Sequence, residues 1–321
     1  MSMTELSKSV LSCRQLRKFD YRRFLAFITS LDIEVVKGDR LGPRSRIGNG
    51  AYATVYSSTL FGQPNRPVAI KCIEETLSFD DERIEAENVN VVLATITQEL
   101  RIMAHPTLRQ HPNIPRILGV GFDDEGDAVR PILVMELAQG ALSTIVDAST
   151  SWNERIRLAR DAADGLVALH AHNIVHGDIK GSNILVFDRE GTRTAAISDL
   201  DHAGVKDDLQ LIVGTTAFYA PECFRQSQYY EFDKNGCARD IFSFGVVLLA
   251  LAAGGGAPDE QVQLQCTAEG VQSEHIKALI PNDAPPGFFD LTHSCLAHQP
   301  SARPSAQTVS IMLSELLHEE R

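Results

Sequence analysis

The segment 176–183 (HGDIKGSN) constrains this chain more than any other part of its sequence, because it gathers side chains of different chemistry in one short loop. Asp178 can accept a proton or orient a hydroxyl, and Lys180 can neutralise a phosphoryl group during transfer. Asn183 offers an amide oxygen to a hard cation. The pattern H-x-D-x-K-x-x-N is expected by chance only ~0.002 times in such a chain, so an ordinary polar turn is the weaker interpretation.

A glycine-rich segment, 47–55 (IGNGAYATV), lies earlier in the chain beside a strand-like run. Gly48 and Gly50 would let the backbone approach a phosphate without interference from a Cβ, and exposed N–H groups could bind its oxygens. The alternative is a simple turn. Ala53 stands where a third glycine is usual, and no GK[ST] follows, so a Walker-type P-loop is disfavoured.

Two further charged residues end apolar, strand-like runs. Lys71 closes the run 68–71 (VAIK), and its ammonium needs a partner because burying an unpaired charge is costly. A nucleotide phosphate with a carboxylate partner and a plain surface lysine both fit this pattern. Asp199 follows the run 194–197, sixteen residues after Asn183, which suits a shared divalent cation or, taken alone, a turn.

Taken in order, these segments and the run 220–222 (APE) resemble the eukaryotic protein kinase family over about residues 42–317. Three departures are Ala53, Gly177 in place of the usual arginine (a non-RD loop), and Leu-Asp at 200–201 in place of Phe-Gly. The HGD style of loop also resembles that of uncharacterised fungal kinases. The resemblance implies an α+β, bilobal protein kinase-like fold, with a small antiparallel β-rich N-lobe carrying one main helix and a larger, mostly helical C-lobe.

The resemblance also implies a role for each charged residue. Lys71 would hold the α- and β-phosphates of ATP and pair with a helical glutamate, for which Glu99 is the first choice and Glu87 the rival. Asp178 would be the catalytic base, and Lys180 would stabilise the charge in transfer.

The metal and nucleotide residues are implied in the same way. Asn183 and Asp199 would hold Mg²⁺. Met135 would guard the adenine pocket, while the backbones of Glu136 and Ala138 would bond the base. The other residues expected around ATP are Ile47, Gly48, Gly50, Val55, Ala69 and Leu185.

Three matched positions have structural roles in the family. Asp240 would accept N–H bonds from the 176–183 loop, since a buried carboxylate without such bonds is costly. Arg303 would pair with Glu222, which lies 81 residues earlier, and so tie distant parts of the C-lobe together.

The sequence therefore predicts an ATP- and Mg²⁺-dependent serine/threonine protein kinase, a transferase that moves the γ-phosphoryl group of ATP to Ser or Thr hydroxyls of protein substrates. Lys180, together with Thr215, resembles Ser/Thr-directed members rather than tyrosine kinases. The alternative is a nucleotide-binding pseudokinase acting as a scaffold. A small-molecule kinase is disfavoured because the APE segment and Arg303 resemble those of protein-directed members.

The change in sequence character and the resemblance together divide the chain into an extension, residues 1–40, an expected N-lobe, 41–136, and an expected C-lobe, 137–321. The first part predicts a helical extension with basic residues on one face, which either binds a partner or membrane or packs on the main domain. The second predicts strands at 54–57, 67–73 and 131–135 and a helix over 85–103, and the third a strand at 194–197. The third part also predicts helices, over 153–170, 241–253, 274–278 and 306–317.

Charge and cysteine spacing exclude several other classes. The net charge of −12 argues against nucleic-acid binding through phosphate neutralisation, and the six cysteines show no zinc spacing. Residues 1–20 contain no apolar core typical of a signal peptide, and the longest apolar run, 241–253, is too short to span a bilayer. An intracellular protein, cytoplasmic or nuclear, is expected.

Overall fold

The computed structural model describes residues 21–49, 53–62, 64–73, 93, 96–123, 130–206, 214–228, 236–254 and 271–319. The described residues form two compact units. One unit runs to Gln110 and resumes over Pro115–Ala138; the other takes in His111–Ile114 and the chain from Gln139 onward.

The first unit is built around a six-stranded sheet in the order β1-β5-β6-β4-β3-β2. Its strands are β1 (Val35–Val36), β2 (Ser45–Asn49), β3 (Ala53–Leu60), β4 (Arg66–Ile73), β5 (Ile117–Asp123) and β6 (Arg130–Glu136). All neighbours pair antiparallel except β1 and β5, which run parallel. Helical residues in this unit are α1 (Tyr21–Ser30), α2 (96–103) and α3 (Pro106–Arg109).

One face of this sheet is the apolar core. Alternate residues of a strand point to opposite faces, so every second residue of β4 and β6 reaches it. The buried residues of this cluster are Val36, Leu60, Val68, Ile70, Cys72, Ile132 and Val134. The other face is left to residues 69 and 71 of β4 and their partners across the strands.

The segment before the sheet packs onto the same unit. Phe24 and Ile28 of α1 are buried, and the Arg101 guanidinium of α2 lies 4.8 Å from the centre of the Phe27 ring. Val35 pairs with Val120, so the sheet reaches into the segment predicted as an extension. In its described part, the basic segment therefore packs through its apolar side.

The second unit is mostly helical, with short strands β7 (Gly140–Ala141), β8 (Ile174–Val175), β9 (Ile184–Arg189), β10 (Thr192–Ile197) and β11 (Gly204–Val205). Its helices are α4 (Leu142–Ile145), α5 (Trp152–His170), α6 (Ala238–Ala252), α7 (Ser273–Leu279), α8 (Phe288–Cys295) and α9 (Ala306–Glu319). Ser151 caps α5 by accepting the N–H of Glu154. The predicted α+β class, with a sheet-rich first part and a helical second part, is confirmed.

Predicted elements agree with the structure where their periodicity is strong. The helices expected from 153, 241, 274 and 306 are α5, α6, α7 and α9, each within three residues at the ends. Elements that were not predicted include the strands β2, β5 and β9 and the helix α8. Residues 85–92 of the expected helix lie outside the described residues, whereas 96–103 are helical. No helix in the described parts of the chain is long and apolar enough to cross a membrane.

Candidate active site

Sheet register places five of the predicted nucleotide residues on one face of the first unit's sheet. Gly48 pairs with Val55, Val55 with Lys71, and Ala69 with Met135. Since directly paired residues share a face, as do residues two apart in a strand, all five lie opposite the apolar core. We call this face the site face.

An ion pair lies on the site face. The Lys71 Nζ donates to Glu99 Oε2 at 2.9 Å, and both residues are buried, 9% and 2% exposed. The strand β4 supplies the lysine and α2 the glutamate, 28 residues later. A buried ammonium is tolerated here because a carboxylate compensates it. Glu99, the first of the two predicted partners, makes this contact; Glu87 lies outside the described residues.

The other predicted residues of this unit differ in exposure. Ile47 on β2 is exposed, Ala69 is buried, and Met135 and Ala138 are half-buried. The N–H of Glu136 donates to the Arg116 carbonyl. Gly50 lies outside the described residues.

In the second unit, the 176–183 loop is fastened to the end of β10. His176 Nε2 lies 2.8 Å from the Ser198 carbonyl, and the Asp178 N–H donates to His176 Nδ1 at 3.2 Å. One ring nitrogen must donate and the other accept, which assigns the neutral Nε2–H tautomer to His176. Ser198 also donates, through its N–H and its hydroxyl, to the Asn183 carbonyl at 2.8 and 2.9 Å.

Asp178, Lys180 and Thr215 form a compact polar group. Lys180 Nζ lies 2.8 Å from Asp178 Oδ2 and 2.8 Å from Thr215 Oγ1, and the Thr215 N–H donates to Asp178 Oδ1 at 2.7 Å. Burial raises the pKa of Asp178, but the bond and charge of Lys180 and the bonds from Thr215 outweigh it, so this pKa lies below its ordinary value. Thr215 thus bridges the two charged residues, through its hydroxyl to Lys180 and through its N–H to Asp178, and Asp178 is ionised at neutral pH.

The chemistry of Asn183 and Asp199 fits Mg²⁺. Asn183 Nδ2 donates to the Asp178 carbonyl and to its Oδ2, at 2.9 and 3.0 Å, which turns the amide oxygen away from that residue. Asp199 follows Ser198 and has a left-handed backbone, with φ 62°. An amide oxygen and a carboxylate are ligands that Mg²⁺ accepts beside phosphate oxygens. No group of three or more His, Cys, Asp or Glu side chains placed to hold a metal occurs in the described ranges.

Two buried acids of the second unit, Asp240 and Glu222, have the partners expected for them. The Asp240 carboxylate accepts the N–H groups of His176 and Gly177 at 2.8 and 2.9 Å, as predicted. Glu222 and Arg303 form a fully buried two-bond ion pair, with N–O distances of 2.6 and 2.8 Å, which confirms that prediction too. Leu185, on β9, is half-buried and pairs with Ala196 and Ala141.

Three residues that contact the 176–183 loop or Asp240 were not identified from the sequence. His170 Nε2 lies 2.9 Å from Asp240 Oδ2, His202 Nδ1 lies 4.0 Å from Asp178 Oδ2, and Arg239 donates to the Gly177 carbonyl at 3.0 Å. A histidine 70 residues from its partner carries no local signal, and neither does the bond from Arg239 to a backbone oxygen.

The family model for the protein kinase domain matches residues 43–312. A probable serine/threonine-protein kinase, kinY, of Dictyostelium discoideum is 28% identical over 89% of this chain and 49% of its own length. Serine/threonine-protein kinase GRIK2 of Arabidopsis thaliana is 31% identical over 83% of this chain and 62% of its own length.

A third relative extends the comparison to animals. The dual specificity testis-specific protein kinase 1 of Rattus norvegicus is 30% identical over 65% of this chain and 33% of its own length. The chain thus spans about a third to three fifths of the length of these curated relatives. The family model covers most of the chain, and the chain belongs to the protein kinase family.

Proposed function

We propose that this chain is an ATP- and Mg²⁺-dependent serine/threonine protein kinase. The observation that carries the proposal is the group formed by Asp178, Lys180 and Thr215, because it presents an ionised carboxylate beside a cation within a partly enclosed loop. The names of the relatives kinY and GRIK2 support the choice of Ser and Thr as acceptors.

The proposed reaction assigns each residue one task. Asp178 orients the acceptor hydroxyl and takes its proton at Oδ1 or Oδ2 as the oxygen attacks the γ-phosphorus. Lys180 balances the negative charge that spreads over the equatorial oxygens. Lys71, held by Glu99, binds the α- and β-phosphates. The proton is transferred to Asp178, and the leaving group is ADP.

Asn183 and Asp199 would hold Mg²⁺, which when bound neutralises phosphate charge. The site face would receive the nucleotide, with Val55 and Ala69 against the base and Met135 at the edge of its pocket. Ile47, Gly48, Gly50 and Leu185 are proposed as further nucleotide contacts, and the backbones of Glu136 and Ala138 as partners of the base.

The runner-up is a nucleotide-binding pseudokinase that acts as a scaffold. A pseudokinase would not need its whole charged set in bonded positions. Here Lys71 and Glu99 are paired, and Asp178, Lys180 and Asn183 are joined by hydrogen bonds. This arrangement favours an active enzyme.

The experiment uses the full chain with [γ-³²P]ATP, Mg²⁺ and a degenerate Ser/Thr peptide library. Wild-type protein is expected to label peptides, and Asp178→Asn, which keeps the shape but removes the base, should label them about 10²- to 10⁴-fold more slowly. Asp199→Ala should also lose activity, and excess Mg²⁺ should restore only part of it.

The matched control is Asp164→Asn. Asp164 lies on α5, away from the 176–183 loop, and its carboxylate accepts a hydrogen bond from the Ser310 hydroxyl. This variant should label peptides at the wild-type rate. Nucleotide binding by the wild type without any labelling would favour the scaffold and overturn the proposal.

A further inference from the structure

Arg239, in the first turn of α6, holds the 176–183 loop through its backbone. Its guanidinium is buried, with the residue 5% exposed, and Nη2 donates to the Gly177 carbonyl at 3.0 Å. The next residue, Asp240, accepts the N–H of the same glycine at 2.9 Å. Two adjacent and oppositely charged side chains therefore hold the peptide groups on either side of Gly177, immediately before Asp178. Arg239 and Asp240 together form what we call the Arg-Asp clamp.

Gly177 suits this clamp because it lacks a side chain. Its backbone is left-handed, with φ 82°, a conformation that glycine adopts without strain. A Cβ built there would lie 3.1 Å from the His202 carbonyl and 3.8 Å from Arg239 Nη2. The guanidinium of Arg239 thus lies beside the place where a side chain at 177 would start. An arginine at 177 would bring a second positive charge against the first in a poorly hydrated space.

The clamped carbonyl is also the point where the 214–215 segment passes the loop. A Cβ on Gly214 would lie 2.5 Å from the Gly177 carbonyl oxygen, so this glycine is required by close approach. The following N–H, of Thr215, donates to Asp178 Oδ1. Any rotation of the Gly177 peptide would therefore disturb both the orientation of Asp178 and its contact with Thr215.

The charge of Arg239 also acts beyond the loop. Burial raises the pKa of Tyr219 and brings that of Cys223 to about 11, and the positive charge of Arg239 opposes the rise in each case. Arg239 accordingly lies close to both the loop and the segment that contains Tyr219 and Cys223.

We infer that Arg239 is a positioning residue for Asp178: its guanidinium fixes the Gly177 peptide and thereby the direction of the neighbouring carboxylate. The cation that orders this loop is supplied by α6, in place of an arginine inside the loop. The inference rests on the proposed kinase function, because it assigns Asp178 the role of base. Arg239 itself does not touch the reacting atoms.

The test compares Arg239→Gln with Arg239→Lys and with a matched control, Arg155→Gln. Arg155 is also a buried arginine, 6% exposed, whose guanidinium donates to backbone carbonyls, among them that of Leu251 at 2.9 Å. None of its partners belongs to the 176–183 loop. The measurements on each full-length protein are kcat, KM for ATP, the melting temperature, and hydrogen–deuterium exchange of the peptide covering 174–183.

Arg239→Gln is expected to lower kcat about ten- to a hundredfold with KM for ATP unchanged, because the base is displaced while the nucleotide residues are intact. It should also speed amide exchange in the 174–183 peptide. Arg239→Lys, which keeps a donor and the charge, should recover most of both. Arg155→Gln should lower the melting temperature without changing kcat or exchange in that peptide.

Three results would overturn the inference. One is wild-type kcat in Arg239→Gln; another is an equal loss of kcat in Arg155→Gln, which would mark general destabilisation. The third is unchanged exchange of the 174–183 peptide. Exchange does not depend on turnover, so if the wild-type protein transfers no phosphate, the proposed function fails while this measurement still decides whether Arg239 holds the loop.

Discussion

The two ion pairs of the candidate site are built in different ways. In the first unit, Lys71 and Glu99 come from a strand and a helix 28 residues apart. In the second, Asp178 and Lys180 are two residues apart in one loop, and Thr215 completes the group. The first pair exists only if α2 packs against the sheet. The second is set by local backbone shape, which bonds to Asp240 and Ser198 enforce.

Because of this difference, the two pairs should respond differently to a movement of α2. Displacing α2 would break the Lys71–Glu99 pair without touching the 176–183 loop, so that pair can respond to whatever packs on the helix. One such contact on α2 is that of Arg101, two residues after Glu99, whose guanidinium packs over the Phe27 ring of α1. The loop pair has no comparable freedom, because its backbone is held from several sides.

Among the changes that test this comparison, breaking the Lys71–Glu99 pair should slow phosphoryl transfer the most. Lys71→Met is expected to slow phosphoryl transfer about a hundred- to a thousandfold, since a cation at the phosphates is lost. The protein should still unfold in one cooperative transition, at a lower temperature, because the buried Glu99 loses its cation. Initial rates and thermal melts measure both effects.

The control for this variant is Lys71→Arg, which keeps the charge and should melt close to the wild-type temperature. If Lys71→Met abolishes the cooperative transition, Lys71 is chiefly a core residue and its assignment to the nucleotide is wrong.

A third ion pair extends the comparison to a site without proposed chemistry. Arg303 and Glu222 are 81 residues apart, so this pair, like the Lys71–Glu99 pair, joins distant parts of the sequence. Both side chains are fully buried. Arg303→Met should cost about 3–5 kcal/mol of unfolding free energy, because Glu222 is left charged in the interior. Denaturant unfolding of the single variants and of Arg303→Met with Glu222→Leu measures this cost. The double variant should be more stable than Arg303→Met; a less stable double variant would contradict the account.

A smaller effect is expected from the local pair, in its pH dependence. The lowered pKa of Asp178 keeps its carboxylate ionised below the usual range of an aspartate, so the acid limb of kcat/KM should lie at a lower pH than an ordinary aspartate would give. In Lys180→Met the opposing effect of burial remains, so this limb should move to higher pH. The stability that Asp178 contributes above its unfolded pKa should likewise be lost at a higher pH as acid is added.

Lys180→Arg serves as the control, since it retains the charge. Its acid limb should stay near that of the wild type, and a limb that does not move in Lys180→Met would show that Lys180 does not set this pKa.

The same contrast explains how far the sequence could predict the structure. Motifs that are local, or that occur in a fixed order along the chain, identified the 176–183 loop, Asp199, Asp240 and the Arg303–Glu222 pair. Helices with strong periodicity were found for the same reason, since a 3.6-residue pattern is visible without any knowledge of packing.

The missed elements depend on contacts that no local pattern contains. The strand β5 carries Gly119 and Gly121, which weaken a strand pattern. Built Cβ atoms at these glycines would lie 2.3 and 2.4 Å from atoms of Val36, so they are required by the close approach of β1. Arg239 was missed because its bond to the Gly177 carbonyl ends on a backbone oxygen, and such a bond leaves no pattern of side chains in the sequence.

The smallest expected effect is that of removing phosphate. The segment 200–213 between Asp199 and Gly214 contains no Ser, Thr or Tyr, so it offers no acceptor for an activating phosphate. Thr215, the next hydroxyl, already accepts a bond from Lys180 at 2.8 Å, and a phosphate there would disrupt that contact. Protein made in bacteria and treated with phosphatase should therefore show the initial rate of untreated protein, its unmodified mass being confirmed by mass spectrometry. A lag that disappears after preincubation with ATP, or a rate lost on dephosphorylation, would show that the Asp178–Lys180 pair needs a phosphate to assemble. That pair would then depend on a second event, as the Lys71–Glu99 pair depends on the packing of α2.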